Sequence, residues 1–152
     1  MNIDPLDIVL RLAAAALVGC ALGVNRELRD KAAGMRTHGL VAIGAALFTI
    51  TAALLSQDDP TVDAMSRVIQ GVVAGVGFLG AGAILKAENT HGVRGLTTAA
   101  SIWVVASLGV ACGAGYWVAS LIALGITLAV LVIGEPIERA LRKISSPKQE
   151  EE

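Results

Sequence analysis

Aromatic side chains are scarce in this chain, at 3% of its 152 residues. Charged residues are also few, at 16% against about 25% in a usual soluble domain. The low charge argues against an ordinary soluble surface. The formal net charge of −1 excludes the overall basic field of a nucleic-acid-binding protein, so we expect no nucleic-acid partner.

The chain also has little that could perform covalent chemistry. Its two cysteines, Cys20 and Cys112, lie in apolar segments, and we interpret both as buried thiols that act as small hydrophobic groups. No phosphate loop, nucleophile elbow, HExxH motif or paired-carboxylate site is present. We therefore expect a protein that is not an enzyme and has no cofactor, and no residue set identifies a metal ligand.

The chain is instead rich in apolar residues, since 55% of its residues are hydrophobic and its mean hydropathy is +0.69. Five segments are long enough to cross a bilayer, at approximately 6–24, 38–56, 68–86, 96–114 and 116–134. The sequence thus predicts an all-α polytopic membrane protein with five transmembrane helices. We expect a membrane domain over 1–134 and a cytoplasmic amphipathic tail over 135–152, with an i,i+4 pair between Glu135 and Arg139.

The connections between these segments separate by charge. The first loop, the third loop and the C-terminal tail hold ten of the twelve basic residues, whereas the second loop is acidic. The positive-inside rule then predicts an N-terminus outside and a C-terminus inside. A weak repeat is also visible, because Gly34-Met-Arg36 precedes the second span and Gly92-Val-Arg94 the fourth. Spans one and two could be a parallel tandem copy of spans three and four. A competing alignment matches Thr37-His-Gly39 to Thr90-His-Gly92.

The third span is unusually rich in glycine. Each glycine costs a helix about 1 kcal/mol relative to alanine, so several in one span need a physical reason. Small residues let neighbouring helices touch, which would favour a homo-oligomer or another membrane partner. Alternatively, the helix breaks near Gly77–Gly82 and offers backbone carbonyls to an ion. The helix-packing glycines are Gly71, Gly75, Gly77, Gly80 and Gly82.

An outer polar cluster is predicted from charged and amide groups near the outer ends of spans one and three. Asp7 and Arg11 are four residues apart and can pair along one helix. Arg67 and Gln70 are one turn apart on span three. The alternative is that both arginines only anchor their helices at the membrane interface.

An inner polar cluster is predicted where span one ends. We expect Asn25, Arg26 and Glu27 to form one ion-pair cluster with Arg36 and Arg94, because the arginine fork binds a carboxylate such as that of Glu27 in a bidentate manner. The alternative is a solvated loop that obeys the positive-inside rule. His38 and His91 are interpreted as polar loop residues. The hydroxyl groups that complete this cluster belong to Thr37, Thr97, Thr98 and Ser101.

Several phrases together resemble one known family. They are Arg26-Glu27, Ala33-Gly34-Met35-Arg36-Thr37, Gly75-Val-Gly-Phe-Leu-Gly-Ala-Gly-Ala-Ile84, Val93-Arg-Gly-Leu-Thr-Thr-Ala-Ala-Ser101 and Ala111-Cys-Gly-Ala-Gly115. From about residue 6 to 134 the chain is similar to the bacterial MgtC/SapB family. The resemblance implies a multi-pass protein of the bacterial plasma (inner) membrane. It also implies magnesium homeostasis at low magnesium, an association with virulence, and the F-type ATP synthase as a possible partner.

Two departures from that family pattern matter. Asn25 stands where the family often has Glu, so one charge is absent. Many relatives also carry a C-terminal ACT-like domain, which we expect this chain to lack. The leading hypothesis is a non-enzymatic regulator that contacts another membrane complex. The alternative is a transporter or channel for Mg²⁺, another cation or a small solute, gated by the two polar clusters.

Overall fold

The computed structural model describes residues 4–55, 62–85 and 94–145. These residues form five α-helices, each long and apolar enough to cross a membrane. The predicted all-α, five-span membrane fold is therefore confirmed. The helices are α1 (Pro5–Glu27), α2 (Met35–Leu55), α3 (Val62–Leu85), α4 (Leu96–Gly113) and α5 (Trp117–Ser145).

Helix α1 has the signals that begin and end a helix. Asp4 is the N-cap and accepts a hydrogen bond from the Leu6 N–H at 3.4 Å, and Pro5 occupies the first turn, where its missing N–H has no cost. Asp7 in the first turn and Arg26 in the last turn match the sign of the helix dipole. A short connection then leads directly into α2.

Helices α1, α2 and α4 form the centre of the bundle, and α3 and α5 lie outside them. Half of the apolar stretch of α4 is buried, against 11% of α3 and 6% of α5. The core is built mainly from small and branched side chains rather than aromatic rings, as close helix packing in lipid favours. Its most enclosed members are Ala15, Leu22, Ala42, Ala46 and Val105.

Glycines of α1 and α4 make the closest helix contacts. A Cβ atom at Gly109 would collide with the carbonyl group of Ala42, and one at Gly113 would lie 2.6 Å from the carbonyl oxygen of Ala46. A Cβ at Gly19 would similarly lie 2.7 Å from the carbonyl oxygen of His38. The backbone contacts expected of the third span are thus made within the chain by other glycines.

Helix α5 runs without interruption through Pro136 to Ser145, across the predicted boundary between 134 and 135. The predicted pair of Glu135 with Arg139 is confirmed at 2.6 Å, and Glu135 also forms an ion pair with Arg29 of the α1–α2 connection. The end of the bundle that holds this ion pair is called the inner end here, after the predicted orientation. That orientation, the inner-leaflet position of the tail and the tandem repeat stay predictions.

Candidate functional site

A buried polar network lies at the inner end, between α1, α2 and α4. His38 is fully buried in the first turn of α2, so its interpretation as a loop residue is wrong. Its Nδ1 lies 2.9 Å from the carbonyl oxygen of Gly34, and its Nε2 lies 3.0 Å from the hydroxyl of Ser101 on α4. The error arose because α2 begins at Met35, which places His38 on the face that α4 covers.

The partners of His38 constrain where protons lie in this network. A carbonyl oxygen only accepts, so Nδ1 must carry a proton that it donates to Gly34. The single Ser101 hydroxyl proton then has two acceptors, Nε2 of His38 and the Thr98 carbonyl oxygen at 2.8 Å. When the hydroxyl donates to Nε2, the His38 ring is neutral. When it donates to the Thr98 carbonyl oxygen, Nε2 can carry a proton as well, so rotation of one hydroxyl accommodates both ring states.

Arg26 is the charged member of this network. It is 3% exposed, and its Nη2 donates to the hydroxyl of Thr98 at 3.3 Å. Its Nε is buried and has no hydrogen-bond partner among the described residues; the same is true of Oδ1 of the neighbouring Asn25. The structure brings Arg26, Thr98 and Ser101 of the predicted cluster together, and it adds His38, which the prediction did not include and which links them to α2.

The ion pairs expected around Arg26 are not formed between the described residues. Glu27 turns instead to the start of α2, where its Oε2 accepts the Met35 N–H at 2.8 Å. A carboxylate at a helix N-terminus satisfies one free N–H and matches the positive helix end. The remaining predicted members of the cluster have exposed side chains, namely Arg36, Thr37, Arg94 and Thr97.

The predicted outer cluster is divided between two places. Asp7 and Arg11 form the expected ion pair at 2.8 Å, and Nη1 of Arg11 donates to the Gly113 carbonyl at 2.7 Å. On α3, Gln70 donates to Ser66 at 3.4 Å, and Arg67 is exposed. Arg11, paired with Asp7, therefore joins α1 to the end of α4. Arg67 and Gln70 lie elsewhere, on the surface of α3.

Arg67 lines an apolar groove between α2 and α3, which has a volume of about 660 Å³. Gly44, Gly71 and Gly75 line it, and a Cβ atom at any of them would meet nothing within 4 Å. A Cβ atom at Gly77 or Gly82 would also meet nothing within 4 Å, although these two glycines do not line the groove, whereas a Cβ at Gly80 would contact Ala99. The other lining residues are Leu40, Val41, Ala45, Phe48, Arg67, Val68, Val72, Val76 and Leu79.

The glycines of α3 neither break the helix nor pack it tightly against its own chain. Helix α3 is continuous from Val62 to Leu85, so the alternative of a break near Gly77–Gly82 is wrong. Among the described residues that line the groove, Arg67 is the one that is charged, and the others are apolar. Within residues 4–55, 62–85 and 94–145, no group of three or more His, Cys, Asp or Glu side chains could hold a metal ion.

One sequence signal could have found His38. It shares a helical stripe with Ala42, Ala45 and Thr49, at spacings of four, seven and eleven residues, and all four side chains are buried. A polar residue that begins a stripe of small residues is expected to face a neighbouring helix. No comparable local signal separates the close-packed Gly109 from the open glycines of α3.

Known proteins are similar to this chain over most of its length. The model of the MgtC family matches residues 12–140. Protein SrpB of Synechococcus elongatus is 46% identical over 136 residues, which cover 84% of this chain and 75% of SrpB. Protein MgtC of Salmonella typhimurium is 41% identical over 137 residues, covering 90% of this chain and 55% of that protein.

A third relative, protein MgtC of Brucella abortus, is 43% identical over 131 residues, which cover 86% of this chain and 52% of that protein. The chain thus spans about half the length of these MgtC relatives. No solved structure matches it at a significant level.

Proposed function

Because the chain belongs to the MgtC family, we propose that it is a non-enzymatic membrane protein that modulates another membrane complex through helix-to-helix contact. The multi-pass membrane character rests on the five apolar helices and on the family. The mode of action is supported by one observation, the open glycines of α3.

Four glycines of α3 have a cost that no contact with the described residues offsets. Gly71, Gly75, Gly77 and Gly82 all face open space. At about 1 kcal/mol each, they forgo about 4 kcal/mol of helix stability relative to alanine. In a membrane, such positions allow another helix to approach closely and gain dispersion contacts. A partner helix that packs on α3 would recover this energy.

The setting of this contact is proposed from the family resemblance. We place the chain in the bacterial inner membrane, where it would serve magnesium homeostasis at low magnesium and, in pathogens, virulence. The F-type ATP synthase is the first partner to test, and a second copy of this chain is the next. Both would present apolar helices to α3 within the bilayer.

Site-specific photo-crosslinking in native membranes tests the contact. A photoreactive residue replaces Phe78, which is 82% exposed on α3, or Val130, which is 65% exposed on α5. We expect defined adducts from position 78 that contain an ATP synthase subunit or a second copy. Gly75→Leu fills open space in the chain and should abolish them.

Gly125→Leu is the matched control, because Gly125 on α5 also faces open space. It should leave the adducts of position 78 unchanged. Adducts that persist in Gly75→Leu would show that α3 is not the contact surface. Defined adducts to proteins other than ATP synthase would keep the contact and reject that partner.

Transport of Mg²⁺ or another cation or solute is the alternative function. The described residues support it less, because α3 is unbroken and its groove is lined almost entirely by apolar side chains. The one charge in that lining, on Arg67, repels a cation. Cation passage would need acidic or carbonyl groups there instead.

A further inference from the structure

Helix α1 carries a buried arginine near each end, and both side chains reach α4. Arg11 is 8% exposed and Arg26 is 3% exposed. They are 15 residues apart, which is about 22 Å along a helix, so they meet opposite ends of α4. Those two ends differ in sign, because aligned peptide dipoles make a helix positive at its N-terminus and negative at its C-terminus.

At the outer end the charges are complementary. Arg11 donates through Nη1 to the carbonyl of Gly113, the last residue of α4, at 2.7 Å. Its Nη2 forms an ion pair with Asp7 at 2.8 Å. This guanidinium therefore has both the negative end of a helix and a carboxylate as partners.

At the inner end the charges are not complementary. The Nη2 of Arg26 lies 3.3 Å from the hydroxyl of Thr98, so the guanidinium faces the positive end of α4. None of the ion pairs between described residues includes Arg26. Glu135, whose charge acts on Arg26, is already paired with Arg29 and Arg139. A buried cation in this position needs an anion.

The first turn of α4 offers further donors in the same place. The first N–H groups of any helix have no intrahelical acceptor, and the N-cap here is Gly95, which has no side chain to supply one. Glycine is required at this position, because its φ is +91° and a Cβ would lie 2.5 Å from the carbonyl oxygen of Ala83. The side chains of Leu96 and Thr97 are exposed, so this turn reaches the surface of the bundle.

We propose that Arg26 and the first turn of α4 bind a phosphate-type oxyanion at the inner end of the bundle. The guanidinium fork and the free N–H groups are the donors that phosphate oxygens accept from in proteins. A lipid headgroup and inorganic phosphate present the same chemistry to this site. The bound anion supplies the negative charge that Asp7 supplies to Arg11 at the outer end.

Thermal unfolding of the full chain in a maltoside detergent, which contains no phosphate, tests the site. The probes are inorganic phosphate against chloride at equal ionic strength, and phosphatidylglycerol against uncharged diacylglycerol. A probe at a hundred times its dissociation constant should raise the unfolding midpoint by about 5 °C or more. A shift with phosphate alone identifies a free anion, and a shift with phosphatidylglycerol alone identifies a lipid headgroup; either supports the site.

Arg26→Gln should lose this shift without a lower midpoint in the absence of the probe, because it removes a buried, uncompensated charge. Arg26→Lys keeps the charge but loses the fork, so its apparent dissociation constant should rise several-fold; it replaces Arg26→Gln if that variant does not fold. Lys31→Gln, at an exposed basic residue of the neighbouring α1–α2 connection, should keep the full shift. The proposal is overturned when neither probe raises the unfolding midpoint of the wild-type chain. It is also overturned when Arg26→Gln and Lys31→Gln lose the midpoint shift equally.

Discussion

Gly109→Ala and Gly75→Ala make the same chemical change at two glycines with opposite surroundings. Both residues lie in the interior of a transmembrane helix, Gly109 in α4 and Gly75 in α3. A Cβ atom at position 109 would collide with the carbonyl of Ala42 and lie 2.9 Å from its Cα, whereas a Cβ at position 75 meets nothing within 4 Å. The pair therefore separates the effect of backbone contact from the effect of helix propensity.

The expected effects have opposite signs. Replacement of glycine by alanine stabilises a helix by about 1 kcal/mol at both positions. At position 109, the contact of α4 with α2 must also open, and overpacking of this kind costs about 1–3 kcal/mol. Backbone atoms cannot rotate away as a flexible side chain can, so the upper end of that range applies. We expect Gly109→Ala to destabilise the fold by about 2 kcal/mol, and Gly75→Ala to stabilise it by up to about 1 kcal/mol.

Reversible unfolding by sodium dodecyl sulfate in mixed micelles measures both free energies. The two variants should differ by about 3 kcal/mol, with Gly109→Ala the less stable. A Gly109→Ala protein at least as stable as the wild type would refute the close contact of α4 with α2. A Gly75→Ala protein less stable than the wild type would instead place a contact within the chain against α3.

Three further outcomes follow from single side chains. Asp7→Asn should lower the free energy of unfolding in the same micelles by only about 1 kcal/mol, because the ion pair that it removes with Arg11 is partly exposed. An unchanged free energy would show that the Gly113 carbonyl alone holds Arg11. Glu27→Ala should lower the free energy of unfolding by about 1 kcal/mol, because α2 loses its cap. Glu27→Gln should lower it less, because the amide oxygen still accepts the Met35 N–H; equal losses in the two variants would attribute the effect to charge. Liposomes that contain the purified chain should show no Mg²⁺ flux above empty liposomes, and a flux that Arg67→Ala changes would favour the transport alternative.

Local patterns in the sequence predicted a large part of this molecule. The five spans follow from runs of apolar residues, because a bilayer requires a minimum helix length. The pairs Asp7–Arg11 and Glu135–Arg139 follow from the four-residue spacing of one helix turn. Arg26, Thr98 and Ser101 were recognised as one polar cluster because each lies near the inner end of an apolar segment.

Contacts between segments far apart in the chain were not predictable in this way. Glu27 was expected to pair with arginines, but the start of α2 lies closer and takes its carboxylate. His38 was expected in a loop, but α2 begins three residues earlier and α4 covers its ring. The break in α3 that was the alternative to close helix packing is absent, because glycine permits a helix to bend without requiring it to do so.

The sequence by itself therefore determined how many helices cross the membrane and which residues pair within each helix, since both depend on neighbours along the chain. Only the tertiary structure decided which glycines are contact points and which are open, because Gly109 and Gly75 look alike until α2 is placed beside one of them. It also decided that Arg11 meets the carbonyl end of α4 and Arg26 its N–H end. That difference in sign arises from the antiparallel packing of α1 and α4, which no single segment encodes.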